Sequence, residues 1–274
     1  VPILFIIFNR PDTTQKVFNE IKKVKPAKLY ISADGPRENI LEDLEKCQVT
    51  RNIIKQIDWN CEVNILFQEK NLGCKYGPVA GINWLFQHEE EGIILEDDCL
   101  PEQSFFFFCQ ELLKYYKYDN RIMHISGNNF GWNKKYSNES YFFSKYSLSW
   151  GWATWKRAWN NYDIDMKTFP AFKKQNQIKN IFSSRFEQNY WIKLLQKVYD
   201  GKIYKAWDYQ WTYTVWTQNG LAALPYVNLV SNIGFGEGAT HTAKIDNRVA
   251  FIPVCAMNEI IHPDFILQNT DADK

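Results

Sequence analysis

Three consecutive acids, Glu96-Asp97-Asp98, follow the apolar run Ile93-Ile94-Leu95. Adjacent carboxylates repel one another, and a strand leading into them holds them near the core, where unpaired charge is costly. A divalent cation offsets that repulsion. Mn2+ and Mg2+ take hard oxygen ligands and commonly combine one or two carboxylates with substrate phosphates. A solvated acidic turn, or the first turn of a helix, carries the same residues. The buried run before the cluster favours the metal.

Other candidate groups lie far from this cluster in sequence. Asp208, in Ala206-Trp207-Asp208-Tyr209-Gln210-Trp211, stands at the start of a predicted helix. It reads as a helix cap or as a general base held between indoles that exclude water. His241 lies in the Gly-rich stretch Gly236 to Thr242 and reads as a metal or phosphate ligand, or as a loop histidine bonded to backbone. Arg10 and Lys75 could neutralise a diphosphate or stand as solvated charges. Asp34, in Ser32-Ala33-Asp34-Gly35-Pro36, could accept from a base or ribose, or cap a turn. The chain lacks GxxxxGK[ST], GxGxxG after its first strand, GxSxG and HExxH, which removes the main support for kinase-like, dehydrogenase, serine-hydrolase and zincin chemistry.

Positioning these groups falls to alternating strands and helices. Strands are predicted at Ile3 to Phe8, Lys28 to Ala33, Val63 to Gln68, Gly92 to Leu95 and Arg121 to Ser126. Helices are predicted at Thr13 to Lys23, Leu41 to Ile57, Tyr76 to Glu89 and Pro101 to Tyr116, from apolar residues at helical spacing. Such alternation implies an α/β fold with a mostly parallel sheet flanked by helices, which binds ligands at the carboxyl ends of its strands. Asn9-Arg10, Asp34-Gly35, Asn71-Leu72-Gly73 and Glu96 to Asp98 each follow a predicted strand and are expected at one crevice. From Trp132 to Trp152 loops and short strands are expected. Phe186 to Tyr199 and Tyr209 to Trp216 read as helices, Leu221 to Val230 as extended chain interrupted by Pro225, and the tail after Pro253 as irregular. No linker or repeat divides the chain. One domain spanning 1–274 is expected, with a nucleotide-binding half (about 1–125), an aromatic-rich acceptor-side half (about 126–250) and a tail (251–274).

The bulk numbers bound the function less tightly. With 32 basic and 31 acidic residues, the chain gives no general electrostatic reason to expect nucleic acid, although net charge does not report distribution. Nine of the 11 Trp fall between Trp132 and Trp216 and read as core, or in part as a platform for sugar rings. The six cysteines form no CxxC pair or zinc spacing and read as small buried hydrophobes of a reducing compartment. No apolar run reaches the ~18 residues of a spanning helix.

Taken in order, Phe8-Asn9-Arg10-Pro11, Ser32-Ala33-Asp34-Gly35, Asn71-Leu72-Gly73 and Leu95-Glu96-Asp97-Asp98 resemble a known family. Ile125-Ser126-Gly127-Asn128-Asn129, Ser149-Trp150-Gly151-Trp152 and Trp207-Asp208 continue the pattern. The chain resembles the GT-A nucleotide-diphospho-sugar transferases over roughly residues 2 to 242. The match is nearest the N-acetylglucosaminyltransferase I-like branch and bacterial family 2-like glycosyltransferases. The resemblance implies a GT-A, Rossmann-like fold and an inverting, metal-dependent hexosyl- or N-acetylhexosaminyltransferase. It implies Asp98 as the direct ligand of Mn2+ or Mg2+, with His241 completing the metal or phosphate site. Glu96 and Asp97 would contact donor ribose and sugar, and Asn9, Arg10 and Asp34 would form the nucleotide edge. Asn71 and Lys75 would face the donor, Trp150-Gly151-Trp152 would form the loop beside the donor sugar, and Asp208 would be the base. The implied partners are a UDP- or GDP-sugar and a glycan or glycolipid acceptor. The resemblance also implies a bacterial, cytoplasmic setting in polysaccharide biosynthesis, with room for peripheral association at the inner face of the membrane. The other functional readings are a sugar- or nucleotide-binding protein with a degenerate transferase fold, and a glycoside hydrolase.

Overall fold

A computed structural model describes residues 1–130, 138–202, 206–235 and 252–274. The described strands are β1 (Ile3–Ile7), β2 (Lys28–Ala33), β3 (Glu62–Phe67), β4 (Glu91–Glu96), β5 (Cys99–Pro101), β6 (Ile122–Ser126), β7 (Tyr141–Ser144), β8 (Trp152–Trp155), β9 (Leu221–Pro225) and β10 (Val230–Asn232). The helices are α1 (Pro11–Val24), α2 (Leu41–Arg51), α3 (Gly73–His88), α4 (Gln103–Tyr115), α5 (Lys156–Trp159), α6 (Phe169–Lys174), α7 (Arg185–Tyr199) and α8 (Asp208–Thr217).

Eight strands form one sheet in the order β3-β2-β1-β4-β8-β6-β9-β7, so both halves of the chain contribute to it. The pairs β1–β2, β2–β3, β1–β4 and β6–β9 are parallel, while β8 runs antiparallel between β4 and β6 and β7 runs antiparallel at the edge. The expected α/β fold with a mostly parallel, helix-flanked sheet is what forms.

Strand alternation sends successive side chains to opposite faces. On one face Ile3, Phe5, Ile7, Leu29, Ile31, Ile93 and Leu95 pack with Val17 and Phe18 of α1 and Phe105 and Phe108 of α4. On the other, Leu4, Tyr30, Ile94 and Trp152 pack with Val79 and Ile82 of α3 and Trp211 and Val215 of α8. A third layer lies outside α8, where Tyr213 and Trp216 meet Phe169, Phe172, Phe182, Leu195 and Val198.

Several boundaries differ from expectation. Of the loops and short strands expected up to Trp152, β7 is one such strand, while β8 runs past that boundary to Trp155; its Trp-Ala-Thr-Trp is buried throughout and so has no polar alternation to reveal it. The helix expected from Pro101 begins at Gln103, because Cys99–Pro101 pairs with β10 instead. The helix expected over 41–57 ends at Arg51 and continues as one tighter turn, Asn52–Gln56. The extended run after Leu221 stops at Pro225, which has no N–H for a ladder, and resumes as β10. The tail covers the edge strand β7: the Asn269 N–H donates to the Phe143 carbonyl at 2.7 Å and the Ser140 N–H to the Ile261 carbonyl at 2.9 Å.

Cys47, Cys99 and Cys109 are buried thiols as expected, whereas Cys61 and Cys74 are half-buried and Cys255 is exposed. The Trp-rich region resolves mainly as core: Trp152, Trp155, Trp159, Trp207, Trp211 and Trp216 are buried. Among the described residues no helix is long and apolar enough to cross a membrane.

Candidate active site

The parallel strands β1, β2, β3 and β4 deliver their carboxyl-terminal loops to one edge of the sheet. Ile6 of β1 lies beside Glu96, the last residue of β4, so the Asn9-Arg10 turn and the acid cluster emerge side by side. The three acids then diverge. The Asp97 carboxylate accepts from the Phe8 N–H at 3.1 Å. Asp98 pairs with the Arg10 guanidinium at 2.9 Å, both side chains being largely buried. Glu96 is approached by the Trp207 side chain, which hydrogen-bonds to it, and lies in the field of Asp208. Asp208 opens α8, more than a hundred positions away in sequence. The fold therefore brings together Arg10, Glu96, Asp97, Asp98 and Asp208.

This grouping concentrates negative charge. Burial, then Asp98, Asp97 and Asp208, push the Glu96 carboxyl up to about 8, with the Trp207 hydrogen bond opposing. Burial and then Asp98 also raise Asp97, against the pull of Arg10 and the Phe8 N–H. Such a Glu96 favours its neutral form in the folded chain. Its contribution to stability is fully present below its ordinary value and is lost as pH rises towards about 8. Glu96→Gln, which mimics the protonated acid, should therefore raise the melting temperature at alkaline pH by about 3–8 °C and leave it nearly unchanged in acid. Melting curves across the pH range check this. An equal gain at all pH values would show that charge is not the cause.

A second acidic anchor holds the Asn9-Arg10 turn. Asn9 Nδ2 donates to Asp43 at 2.6 Å, and Arg37 binds the same carboxylate through Nε at 2.6 Å and Nη2 at 2.9 Å. The Arg37 bond, foremost, holds the Asp43 carboxyl down at about 2 despite burial. Asp34 acts as a staple. Its two oxygens accept from the Gly35, Leu72 and Gly73 N–H groups and from Asn71 Nδ2, at 2.7–3.0 Å. These four donors leave no open acceptor direction for a ribose, so in this conformation Asp34 and Asn71 shape the loop at the start of α3. Lys75 follows in the first turn of α3, half-buried, with its ammonium 5.3 Å from the Tyr76 ring centroid.

The expected loop beside the donor sugar divides. Trp150 is half-buried and makes edge contacts with Phe130 at 5.1 Å and Phe235 at 5.8 Å. Gly151 adopts a positive φ of 64°, and a Cβ there would lie 2.7 Å from Val230. Trp152 corrects the expectation. It is fully buried, stacked on His124 at 5.0 Å and Trp207 at 5.3 Å, because both faces of β8 are covered and its ring lies on the face packed with α3 and α8. It supports Trp207 rather than facing a ligand. His124 accepts from Trp211 Nε1 at 3.1 Å and contacts the Leu148 carbonyl at 2.9 Å, and burial lowers it to about 4, so it serves as a neutral strut. His241 lies outside the described residues.

Sequence reasoning missed Gly234. The Ile233 N–H donates to the Asp98 carbonyl at 2.8 Å, and Gly234 then passes over the Arg10–Asp98 pair. A Cβ at Gly234 would stand 2.1 Å from Asp98 Oδ2 and 2.7 Å from Arg10 Nη1. Gly234→Ala must displace one of these groups, and it should lower the melting temperature by about 3–8 °C, as overpacking a filled site does. Melting curves check this, and an unchanged melting temperature would show that the pair has room to move. The glycine-rich stretch was visible in sequence, but nothing there said which glycine meets the acids. Asp43 was equally hidden, since an acid in the first turn of a helix reads as ordinary helix chemistry.

No family model and no curated protein matches this chain. Solved structures do align. One is a mannosyltransferase, PcManGT from Pyrobaculum calidifontis, in complex with GDP-Man and Mn2+, at 10% identity over 60% of this chain and 48% of that one, with a TM-score of 0.42. This chain thus spans about half the length of that protein. A galactosyltransferase, LgtC, in complex with donor and acceptor sugar analogs, aligns at 10% identity over 93% and 85% of the two chains, with a TM-score of 0.42. A 4-diphosphocytidyl-2C-methyl-D-erythritol synthase from Anaerococcus prevotii aligns at 7% identity over 90% and 94%, with a TM-score of 0.43. Likeness this distant does not carry an activity or a ligand over to this chain.

Proposed function

We propose that the chain is a GT-A-type glycosyltransferase that moves a hexosyl or N-acetylhexosaminyl group from a UDP- or GDP-sugar to a hydroxyl of a glycan or glycolipid, with inversion. The observation that carries this reading is the meeting of Glu96-Asp97-Asp98 with Arg10 and Asp208 at the carboxyl edge of the sheet. Ligands of open α/β folds bind there.

In this reading Asp208 takes the proton of the acceptor hydroxyl. The hydroxyl oxygen bonds to the anomeric carbon as the bond to the diphosphate oxygen breaks on the opposite face. Arg10 and Lys75 face the departing diphosphate, where fixed positive charge is most effective. Glu96 and Asp97 hold donor hydroxyls, and Trp150 offers a ring beside the sugar.

A divalent cation, Mn2+ or Mg2+, fits the chemistry of the donor set. Asp98 presents hard oxygens, and Arg10 already places a cationic group against it. Among the described residues no three His, Cys, Asp or Glu side chains converge as a cation cage. Such ions commonly complete their shell with phosphate and water. Asp98 would hold it, together with His241. When bound, the cation would neutralise charge on the leaving diphosphate.

A thermal-shift screen of nucleotide sugars with Mn2+, followed by turnover with an acceptor panel, tests the reading. The expected result is stabilisation by one donor class and release of its nucleoside diphosphate. Tight donor binding without turnover on any acceptor would favour a binding protein instead, and no nucleotide response at all would remove the reading.

A further inference from the structure

The near-neutral net charge conceals a strong segregation. Between Met166 and Tyr199 the chain carries seven basic residues (Lys167, Lys173, Lys174, Lys179, Arg185, Lys193 and Lys197) and one acidic residue, Glu187. This stretch is +6, while the whole chain is +1, so everything outside it sums to −5. All seven basic residues are exposed. The stretch packs inward through Phe169, Phe172, Phe182, Leu195 and Val198 onto Tyr213 and Trp216 of α8. Its inner face is therefore satisfied, and the charge lies on the outside.

The outer stripe of α7 combines aromatic and basic side chains. Phe186, Tyr190, Lys193 and Lys197 fall within roughly 60° of one another at 3.6 residues per turn. Leu194, Leu195 and Val198 face the core. Phe186 is 81% exposed and Tyr190 55% exposed. Two large rings one turn apart are thus presented to solvent at one end of a stripe, with two lysines at the other. Lys173 of α6 reaches Gln196 of α7 at 2.8 Å, so the α6 lysines border the same surface.

We propose that the outer face of α7, with the flanking α6 lysines, docks the protein on an anionic lipid bilayer. Phe186 buries an apolar ring at the headgroup boundary, and Tyr190 enters beside it with its hydroxyl left in the polar layer. Arg185, Lys193 and Lys197, with Lys173 and Lys174, face the lipid phosphates. The net negative remainder of the molecule is repelled by the same surface, so the charge asymmetry orients the protein as well as attracting it. A purely solvated face accounts for the lysines but not for two exposed rings on their stripe. A protein partner would need a complementary acidic apolar groove, whereas a bilayer supplies both features in one plane. This inference does not depend on the transferase reading.

Vesicle co-sedimentation of the full chain tests it, with vesicles of phosphatidylcholine mixed with phosphatidylglycerol against pure phosphatidylcholine. The wild-type chain should bind the mixed vesicles, bind pure phosphatidylcholine far more weakly, and release as salt rises. The double variant Lys193→Glu/Lys197→Glu should lose affinity roughly 20-fold or more, and Phe186→Ser/Tyr190→Ser about tenfold. Both variants should keep the wild-type circular dichroism, melting temperature and nucleotide response, since none of these side chains lies in the core. Lys193→Gln/Lys197→Gln replaces the charge reversal if that variant fails to fold. Three results would overturn the proposal: no binding of the wild-type chain to mixed vesicles, equal binding to both vesicle types, or full binding by the folded variants. Capture of RNA by this face without vesicle binding would also overturn it.

Discussion

Asp208→Asn should lower the rate of sugar transfer by about 10²–10⁴-fold while leaving donor affinity close to that of the wild-type chain. The side chain is set for this result by its mount. Asp208 is the first residue of α8, and Trp207 before it is buried and stacked on Trp152. The Tyr162 hydroxyl donates to the Trp207 carbonyl at 3.2 Å and fixes that turn from the other side. Asparagine keeps the size but carries no charge and cannot take a proton. The measurement is steady-state transfer with the donor at saturation, alongside thermal shift with the nucleotide. A variant that transfers at the wild-type rate would end the assignment of Asp208 as the base. A loss of nucleotide response equal to the loss of rate would move Asp208 from chemistry to donor binding.

Replacing Asp98 should have an effect of similar size by a different route. Asp98→Asn removes the carboxylate that ion-pairs with Arg10 at 2.9 Å, and it leaves Glu96 and Asp97 turned towards Trp207 and the Phe8 N–H. Turnover should fall about a thousandfold, equivalent to several kcal/mol of lost charge stabilisation. The Mn2+-dependent part of the nucleotide thermal shift should vanish in the same variant. Stripping the wild-type protein with EDTA should reproduce the loss, and adding Mn2+ should restore it. Full activity after exhaustive metal removal would falsify the cation assignment. Asp98 would then act through Arg10 alone, and Arg10→Ala would be the more damaging change.

These two residues illustrate how the site is assembled. Asp98 is carried on β4 by local pattern: an apolar run, a strand end and a turn. Asp208 arrives through packing. Trp152 and Trp159 lie 6.1 Å apart, and each lies 5.2–6.2 Å from Trp207 and from Trp211, forming the wall on which the start of α8 rests. The buried tryptophans follow the core reading and hold Asp208 beside Glu96. Trp150, flanked by Phe130 and Phe235, stays half-buried.

The first half of the fold was legible because its elements announce themselves locally. Ile3 to Ile7 and Gly92 to Leu95 are unbroken apolar runs, as parallel strands covered on both faces require, and helical spacing marks α1 and α3. The strand-end rule then placed Arg10, Asp34, Asn71 and the acid cluster on one edge without further information. β8 was not legible, because a buried Trp-Ala-Thr-Trp has neither the polar alternation of a half-exposed strand nor the length of a helix. Residue types also left roles open that only contacts could close. Asp34 could have met a ribose, and it is instead consumed by four donors of its own loop. Trp152 could have lined the donor site, and the helices that cover both faces of β8 bury it instead.

By itself the sequence determined that this is an α/β chain with three acids at the end of its fourth strand, because strand polarity and burial are written in local pattern. The tertiary structure decided what surrounds those acids. Arg10 pairs with Asp98, Gly234 lies over that pair, and Asp208 and Trp207 meet Glu96. Each of these contacts joins segments distant in sequence, and their geometry is set by how the sheet and α8 pack, which no local pattern records.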